Sequence, residues 1–212
     1  MTKKILLGIT FAAVFAMGFA VFADAITGLA NTDIKQNNNG FQKITFSLVE
    51  DAKIAGEDFG GYAIFTTGGD VIAVTSHQGA FDSEAQGSPG GTFALCSPAQ
   101  VTAGLCGPEW HTHLVKPVGS ALCSIAAVGS LTFEEPSSNV NVKDSDISIS
   151  NVKKGTSSFT NSISGSALAF TVGASQVSPN PVTGVGDGVP FDLVPVFDNG
   201  DLLAICIGPA AV

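Results

Sequence analysis

Two histidines separated by one residue form the most informative chemical pattern in the chain. His111 and His113 flank Thr112, and in a β-strand residues two apart project from the same face. Such a pair can offer two imidazole nitrogens to one zinc or copper ion. The third histidine of the chain, His77, follows a predicted strand and could supply a third ligand. The sequence therefore predicts a transition-metal site at these three histidines.

The fourth ligand decides what such a metal would do. Three protein ligands with an open position are typical of catalytic zinc, whereas a closed fourth position is typical of a structural metal. Neighbouring carboxylates could add an oxygen ligand: Asp82, Glu84 and Glu109. The alternative interpretation is that His111 and His113 are exposed strand residues and that His77 lies in a loop.

Other catalytic patterns fail on specific residues. No Gly-x-Ser-x-Gly occurs, so a nucleophile elbow is missing, and the glycines of 184–188 lack the spacing of a dinucleotide loop. Glu134 and Glu135 would point to opposite faces of a strand, which is poor geometry for acid–base catalysis, and we expect them in solvent. Two aspartate pairs could bind calcium, but turn formation explains both: Asp144 with Asp146, and Asp198 with Asp201.

Alternating residues predict the strands that must position these groups. Ile44, Phe46 and Leu48 alternate with hydroxyl residues, and this period of two puts the apolar side chains on one face. Hairpin turns are predicted at 66–70 and at 198–200, where glycine supplies the positive φ angles that tight turns need. Pro195 suggests a sheet edge. The remaining predicted strands are 62–65, 71–74, 111–118, 122–133, 146–152, 167–172, 193–197 and 201–207.

The composition favours an all-β chain. Only 13% of residues are charged, glycine and hydroxyl residues abound, and helix-forming runs are missing beyond the N-terminal segment. Turn signals recur at spacings typical of sandwiches and barrels. We predict a flexible polar lead-in over 24–40 and a single β-sandwich of the immunoglobulin-like, Greek-key type over 41–212.

The N-terminal segment has the pattern of a secretory signal peptide. Lys3 and Lys4 precede an uncharged run over 5–23 that ends in small residues. We predict cleavage after Ala23 and a secreted, extracytoplasmic protein. The alternative is a retained membrane anchor, because the run is long enough to approach a transmembrane helix.

Four cysteines in an exported chain predict two disulfides. Four cysteines allow three connectivities, and the sequence does not choose among them. We expect a local Cys96–Cys106 bridge and a Cys123–Cys206 bridge between two apolar strands. Zinc ligation by the cysteines is disfavoured because no Cys-x-x-Cys pair occurs.

The charge balance excludes some partners. Removal of the leader leaves seven lysines against 18 acidic residues, a net charge of −11, and the chain has no arginine. Without a basic stripe, nucleic acid binding is excluded. Acidity is best explained as a solubility device. Membrane association is expected only through an uncleaved leader, whereas strand edges allow self-association.

Known families with a His-x-His pair do not match. Cupins carry a glutamate about four residues after the pair, where this chain has Pro117. Copper-zinc superoxide dismutases need more histidines and an arginine, and blue-copper domains need a methionine beyond the leader. The segments 75–77, 82–84, 111–113 and 131–134 resemble secreted β-rich proteins of unknown function from ammonia-oxidising archaea, over about half the chain. That resemblance implies no activity, but it makes copper a sensible metal to test.

The sequence thus predicts an exported, non-enzymatic binding or surface protein that holds copper or zinc through histidines. Two alternatives stay open. One is a zinc hydrolase or hydratase with an open metal position on the three histidines. The other is a structural subunit of a filament or coat, in which the polar N-terminal segment pairs with a neighbour's sheet edge.

Overall fold

A computed structural model describes residues 27–52, 60–76, 110–136, 139–177, 188–198 and 201–209. These residues form twelve β-strands and no helix, which confirms the all-β class. Accordingly, no helix in the described ranges is long and apolar enough to span a membrane. The strands are β1 Leu29–Asn37, β2 Gly40–Leu48, β3 Gly60–Phe65, β4 Val71–Ser76, β5 Trp110–Val118, β6 Ala126–Leu131, β7 Asn139–Lys143, β8 Asp146–Lys153, β9 Gly155–Thr160, β10 Ala167–Val172, β11 Val189–Asp198 and β12 Asp201–Pro209.

Four antiparallel strands form an open sheet in the order β1-β2-β8-β7. The period of two in β2 puts Ile44, Phe46 and Leu48 on its buried face. Ile44 lies opposite Ile149 on β8, and Phe46 lies opposite Ile147. These cross-strand apolar pairs fix the register, because a shift by one residue would turn the apolar set toward solvent.

Six other strands close into a barrel in the order β11-β12-β6-β5-β4-β3. The predicted hairpin of β3 and β4 is present, with Phe65 opposite Val71 at the turn. The predicted C-terminal hairpin of β11 and β12 is also present and ends at the Asp198–Asp201 pair. Closure is completed by three residue pairs between β11 and β3, from Val189 opposite Ala63 to Phe191 opposite Gly61.

The open sheet and the barrel pack together in two layers. The larger core cluster unites apolar residues of β2 and β8 with residues on the outer face of the barrel, such as Ile72, Val74 and Leu114. A smaller cluster lies on the inner face of the barrel and includes Ala73, Val115 and Phe191, among others. Along β4 and β5, alternate side chains therefore face the sheet or the barrel interior.

The layered arrangement corrects part of the predicted sandwich. Two β layers do pack face to face, but one of them closes on itself as a six-stranded barrel. Turn spacing alone does not distinguish an open sandwich from a barrel, because closure depends on which distant strands pair. The decisive pairing joins β11 to β3, more than one hundred residues apart along the chain.

The predicted flexible lead-in was wrong over most of its length. Residues 29–37 form β1, which pairs with β2 through a turn at Asn38 and Asn39. Thr27, which precedes β1, is also held against the barrel, because the Tyr62 hydroxyl donates a hydrogen bond to the Thr27 carbonyl at 2.8 Å. Polar residues misled the prediction since β1 is an edge strand with only one face against the core. The segment 1–23, with its predicted leader, lies outside the described residues.

The disulfide prediction is confirmed for one bridge. Cys123 and Cys206 are bonded, with Cα atoms 5.3 Å apart. Cys123 lies in the connection between β5 and β6 rather than in a strand, because β6 begins at Ala126 and not at the predicted Leu122. The bridge ties this connection to β12. Cys96 and Cys106 lie outside the described residues.

Candidate functional site

Strand β5 positions the histidine pair. Its residues alternate between the two layers, and Leu114 belongs to the core shared with the open sheet. His111 and His113 therefore lie on the other face, toward the barrel interior, with Val115. Their ring centroids are 4.8 Å apart and the ring planes are inclined by 78°. The predicted sharing of one strand face is confirmed.

Small residues on the neighbouring strands make space for the two rings. His113 lies opposite Ala73 on β4, and His111 lies opposite Thr75. One strand further, Ala63 lies opposite Ala73. A barrel of six strands has a narrow interior that side chains fill completely, so large residues at these positions would displace the imidazoles.

Both histidines are buried. His111 is 2% exposed and His113 is 4% exposed. The alternative interpretation of an exposed histidine pair is therefore wrong. Buried histidines need hydrogen-bond partners or a ligand, because an unsatisfied imidazole in an apolar interior is costly.

The orientation of the His113 ring is set by one hydrogen bond. Its Nδ1 atom lies 2.8 Å from the Thr132 carbonyl oxygen. A carbonyl oxygen only accepts, so Nδ1 must carry the proton and donate. In the neutral ring, Nε2 then keeps its lone pair. This is the tautomer that binds a metal through Nε2 while a backbone carbonyl holds the ring from behind.

Burial keeps the His113 ring neutral. The pKa of His113 falls from 6.5 to about 3, because burial and then repulsion from His111 lower it by more than the hydrogen bond to Thr132 raises it. No proton has to leave His113 before it can bind a cation at neutral pH. This removes the competition with protons that usually weakens histidine sites below pH 7.

The rest of the predicted ligand set lies outside the described residues. These residues are His77, Asp82, Glu84 and Glu109. Within the described ranges no group of three or more His, Cys, Asp or Glu side chains could hold a metal. The contribution of His77 stays a prediction, supported by chain continuity: it follows Ser76, which lies opposite Trp110 at the end of β4.

A cleft of about 340 Å³ lies on the opposite side of β5. Its floor includes Leu114, which faces away from the histidine pair, together with Phe170. The cleft therefore does not open onto His111 and His113. A zinc hydrolase would need a water-lined opening at the histidines, and this cleft does not provide one.

Sequence reasoning missed a partly buried ion pair at the other end of the barrel. The Asp70 carboxylate, 6% exposed, accepts two hydrogen bonds from Lys116 at 2.8 and 3.0 Å and one from the Thr171 backbone N–H. The Lys116 ammonium also lies 5.2 Å from the centre of the Phe170 ring. Asp70 thus ties the β3–β4 turn to β5 and β10. Its place in a Gly-Gly-Asp turn indicated only a turn.

Three of the acidic residues considered for acid–base or calcium chemistry have structural roles: Glu134, Asp144 and Asp146. Glu134, although exposed, accepts hydrogen bonds from the Thr160 backbone N–H at 2.8 Å and hydroxyl at 2.6 Å. Burial raises its pKa, but these hydrogen bonds outweigh burial and hold the pKa of Glu134 below its usual value. Asp144 has φ 52° in the β7–β8 turn, and Asp146 accepts a hydrogen bond from Ser47. Turn formation therefore explains this aspartate pair.

Comparison with known proteins does not assign a family. No protein-family model matches the chain, and no curated protein and no solved structure is significantly similar to it. The resemblance to secreted archaeal proteins stays a prediction.

Proposed function

We propose that this chain is an exported, non-enzymatic binding protein that holds a transition metal, copper or zinc, through His111 and His113 in its barrel. His77 is the proposed third ligand. The proposal extends to the compartment: a leader cleaved after Ala23 and the bridge between Cys123 and Cys206 both suit an oxidising, extracytoplasmic setting.

The observation that carries the proposal is the hydrogen bond from His113 Nδ1 to the Thr132 carbonyl. It fixes the ring in the tautomer whose Nε2 lone pair is available, and burial keeps that ring neutral. The ring of His111 lies 4.8 Å away on the same face, close enough for both rings to bind one ion. When bound, the metal would link β5 to whichever neighbouring element supplies the remaining ligand.

A binding role suits this geometry better than catalysis. Catalytic zinc needs an open position that water and substrate can reach. The two histidines are almost fully buried, and the described cleft lies beyond β5. We therefore favour a site that stores, carries or is stabilised by its metal.

Isothermal titration of the chelator-treated mature protein with Zn²⁺ and with copper tests the proposal. We expect one equivalent to bind more tightly than about 100 μM, and we expect His111→Ala or His113→Ala to abolish binding. His77→Ala should weaken it if His77 is the third ligand.

The matched control is Thr75→Val. Thr75 lies opposite His111 inside the barrel, and its hydroxyl has no hydrogen-bond partner among the described residues. Valine replaces threonine at nearly the same volume, so the substitution alters the barrel interior beside His111 but leaves both imidazoles in place. The affinity for the metal should therefore be unchanged. Binding weaker than about 100 μM, or equal binding by native protein and the histidine variants, contradicts the proposal.

A further inference from the structure

Among the described residues, strand β9 pairs along one side only, with β10. The Thr160 N–H donates to Glu134 and the Thr160 carbonyl accepts from the Phe133 N–H, so the Thr160 backbone faces away from β10. Alternate residues of a strand point their backbone groups to the same side, so Thr156 and Ser158 also face away from β10. Within the described residues these two backbones have no partner on that side. Their N–H and C=O groups are available to an added strand.

This edge lacks the devices that usually protect sheet edges. Charged residues and proline discourage edge-to-edge pairing, and β1 carries Asp33 and Lys35 while β7 carries Lys143. Strand β9 contains neither a charged residue nor a proline. The far side of its partner β10 is engaged, because the Thr171 N–H donates to Asp70. Within the described part of the chain, the β9 edge has neither a partner strand nor these protective residues, so it can accept a partner.

The 340 Å³ cleft adjoins the same edge. Ser157 and Phe159 of β9 line it, and its floor is formed by buried apolar side chains: Leu114, Val152, Phe170 and Val172. The volume lies at the small end of the range for ligand sites. One apolar side chain of an added strand could be buried there while its backbone pairs with β9.

Opposite charges lie at the two ends of this cleft. Glu135 lies near the end of β9, because the preceding Glu134 accepts a hydrogen bond from Thr160. Lys153 lies near the start of β9, two residues before Gly155. Lys153 has no ion-pair partner within the described part of the chain. A ligand aligned antiparallel to β9 would place its carboxyl terminus beside Lys153, at the start of the strand.

We propose that the β9 edge and this cleft bind a short apolar peptide with a free carboxyl terminus, which adds to β9 as an antiparallel strand. The backbone hydrogen bonds of Thr156 and Ser158 provide affinity, and the cleft selects an apolar side chain. Because Thr160 is already paired, the free edge accommodates roughly three residues, each rising about 3.3 Å. The peptide carboxylate pairs with Lys153.

Calorimetric titration with a Leu-Val-Phe tripeptide tests this proposal. The native protein, kept metal-free with a chelator, should bind the free peptide and bind its carboxy-terminal amide about fivefold more weakly. Lys153→Met should bind both forms equally. Lys154→Met is the matched control, because Lys154 is the exposed neighbour that does not line the cleft, and it should retain the fivefold preference.

A second pair of variants tests the backbone contact. Ser158→Pro removes an N–H that makes no bond to β10 and should abolish peptide binding, whereas Ser158→Ala keeps the N–H and should bind normally. Circular dichroism and thermal unfolding check that both variants fold. If Ser158→Pro unfolds, the two lysine variants decide.

Three results would overturn the peptide site. One is no binding by native protein at about 1 mM peptide. Another is equal affinity of native protein for the free peptide and the amide. The third is a native dimer that Ser158→Pro dissociates, which would show that a second copy occupies the edge. Because the titrations use metal-free protein, each result is independent of metal binding at the histidines.

Discussion

Acid sensitivity caused by His113 is the sharpest energetic consequence of the buried pair. In the unfolded chain a histidine has a pKa near 6.5, whereas burial lowers the pKa of His113 in the folded state to about 3. The unfolded state therefore binds the extra proton between these two values. The contribution of His113 to stability is complete above pH 6.5 and is lost as the pH falls toward 3.

The size of the loss follows from the two pKa values. Protonation of His113 costs the folded state about 5 kcal/mol more than the unfolded state over the whole range. At pH 4.5 the free energy of unfolding should be about 3 kcal/mol lower than at pH 7.5 from this residue alone. Such a loss is a large part of the total stability of an ordinary domain.

Urea unfolding of metal-free protein at several values between pH 4 and 7.5 measures this effect. In His113→Gln the side chain is neutral throughout, and its amide N–H can still donate to the Thr132 carbonyl. As the pH falls below 6.5, the free energy of unfolding of native protein should therefore decrease by about 1.4 kcal/mol per pH unit more than that of His113→Gln. Thr75→Val should keep the native slope. Carboxylates such as Glu134 contribute equally to all three proteins and cancel in the comparison. Identical slopes for native protein and His113→Gln would refute the reasoning.

Two further predictions concern the barrel. Lys116→Met should lower the free energy of unfolding by about 2–3 kcal/mol, because it leaves the nearly buried Asp70 carboxylate without its cation. The control is Lys143→Met, at an exposed position, which should change the free energy of unfolding little. Equal urea midpoints for the two variants would contradict a stabilising role of the Asp70–Lys116 ion pair. Replacing both Cys123 and Cys206 by serine releases a constraint across 83 residues and should lower the free energy of unfolding by up to about 4.5 kcal/mol, measured by thermal or urea unfolding. A decrease below about 1 kcal/mol would show that the bridge does not restrain β12.

The sequence predicted those parts of the fold that depend on local patterns. The alternation in β2, the glycine turn between β3 and β4, and the limits of β10 at Ala167 and Val172 were all readable, because strand period and turn chemistry are local properties. Pro195 lies in the part of β11 for which the described pairing is with β12, beyond the three residues paired with β3. A residue without an N–H is tolerated at such a position.

The missed elements are polar and exposed. Strands β1, β7 and β9 expose most of their side chains, so no apolar alternation marked them. Closure of the barrel also escaped prediction, since it depends on the pairing of Phe191 with Gly61 across the chain. Local pattern carries no information about such distant partners.

For the candidate site, spacing predicted the shared face of His111 and His113 but not their burial. Burial follows from the small residues opposite them, such as Ala73, and those acquire meaning only once β3, β4 and β5 are aligned. The hydrogen-bond acceptor, the Thr132 carbonyl oxygen, directly follows strand β6, and no sequence pattern marks it as the partner of His113. The partly buried Asp70–Lys116 pair was missed because its partners are 46 residues apart.

Long-range ¹H–¹⁵N NMR of the histidine rings tests the central claim most directly, because it identifies which ring nitrogen carries the proton and which one binds a metal. In metal-free protein at pH 7 we predict that His113 is neutral and protonated on Nδ1. Addition of one equivalent of Zn²⁺ should then shift the Nε2 resonance of His113 and perturb the His111 ring. An Nε2-protonated His113 ring, or rings that do not respond to zinc or copper, would contradict the account.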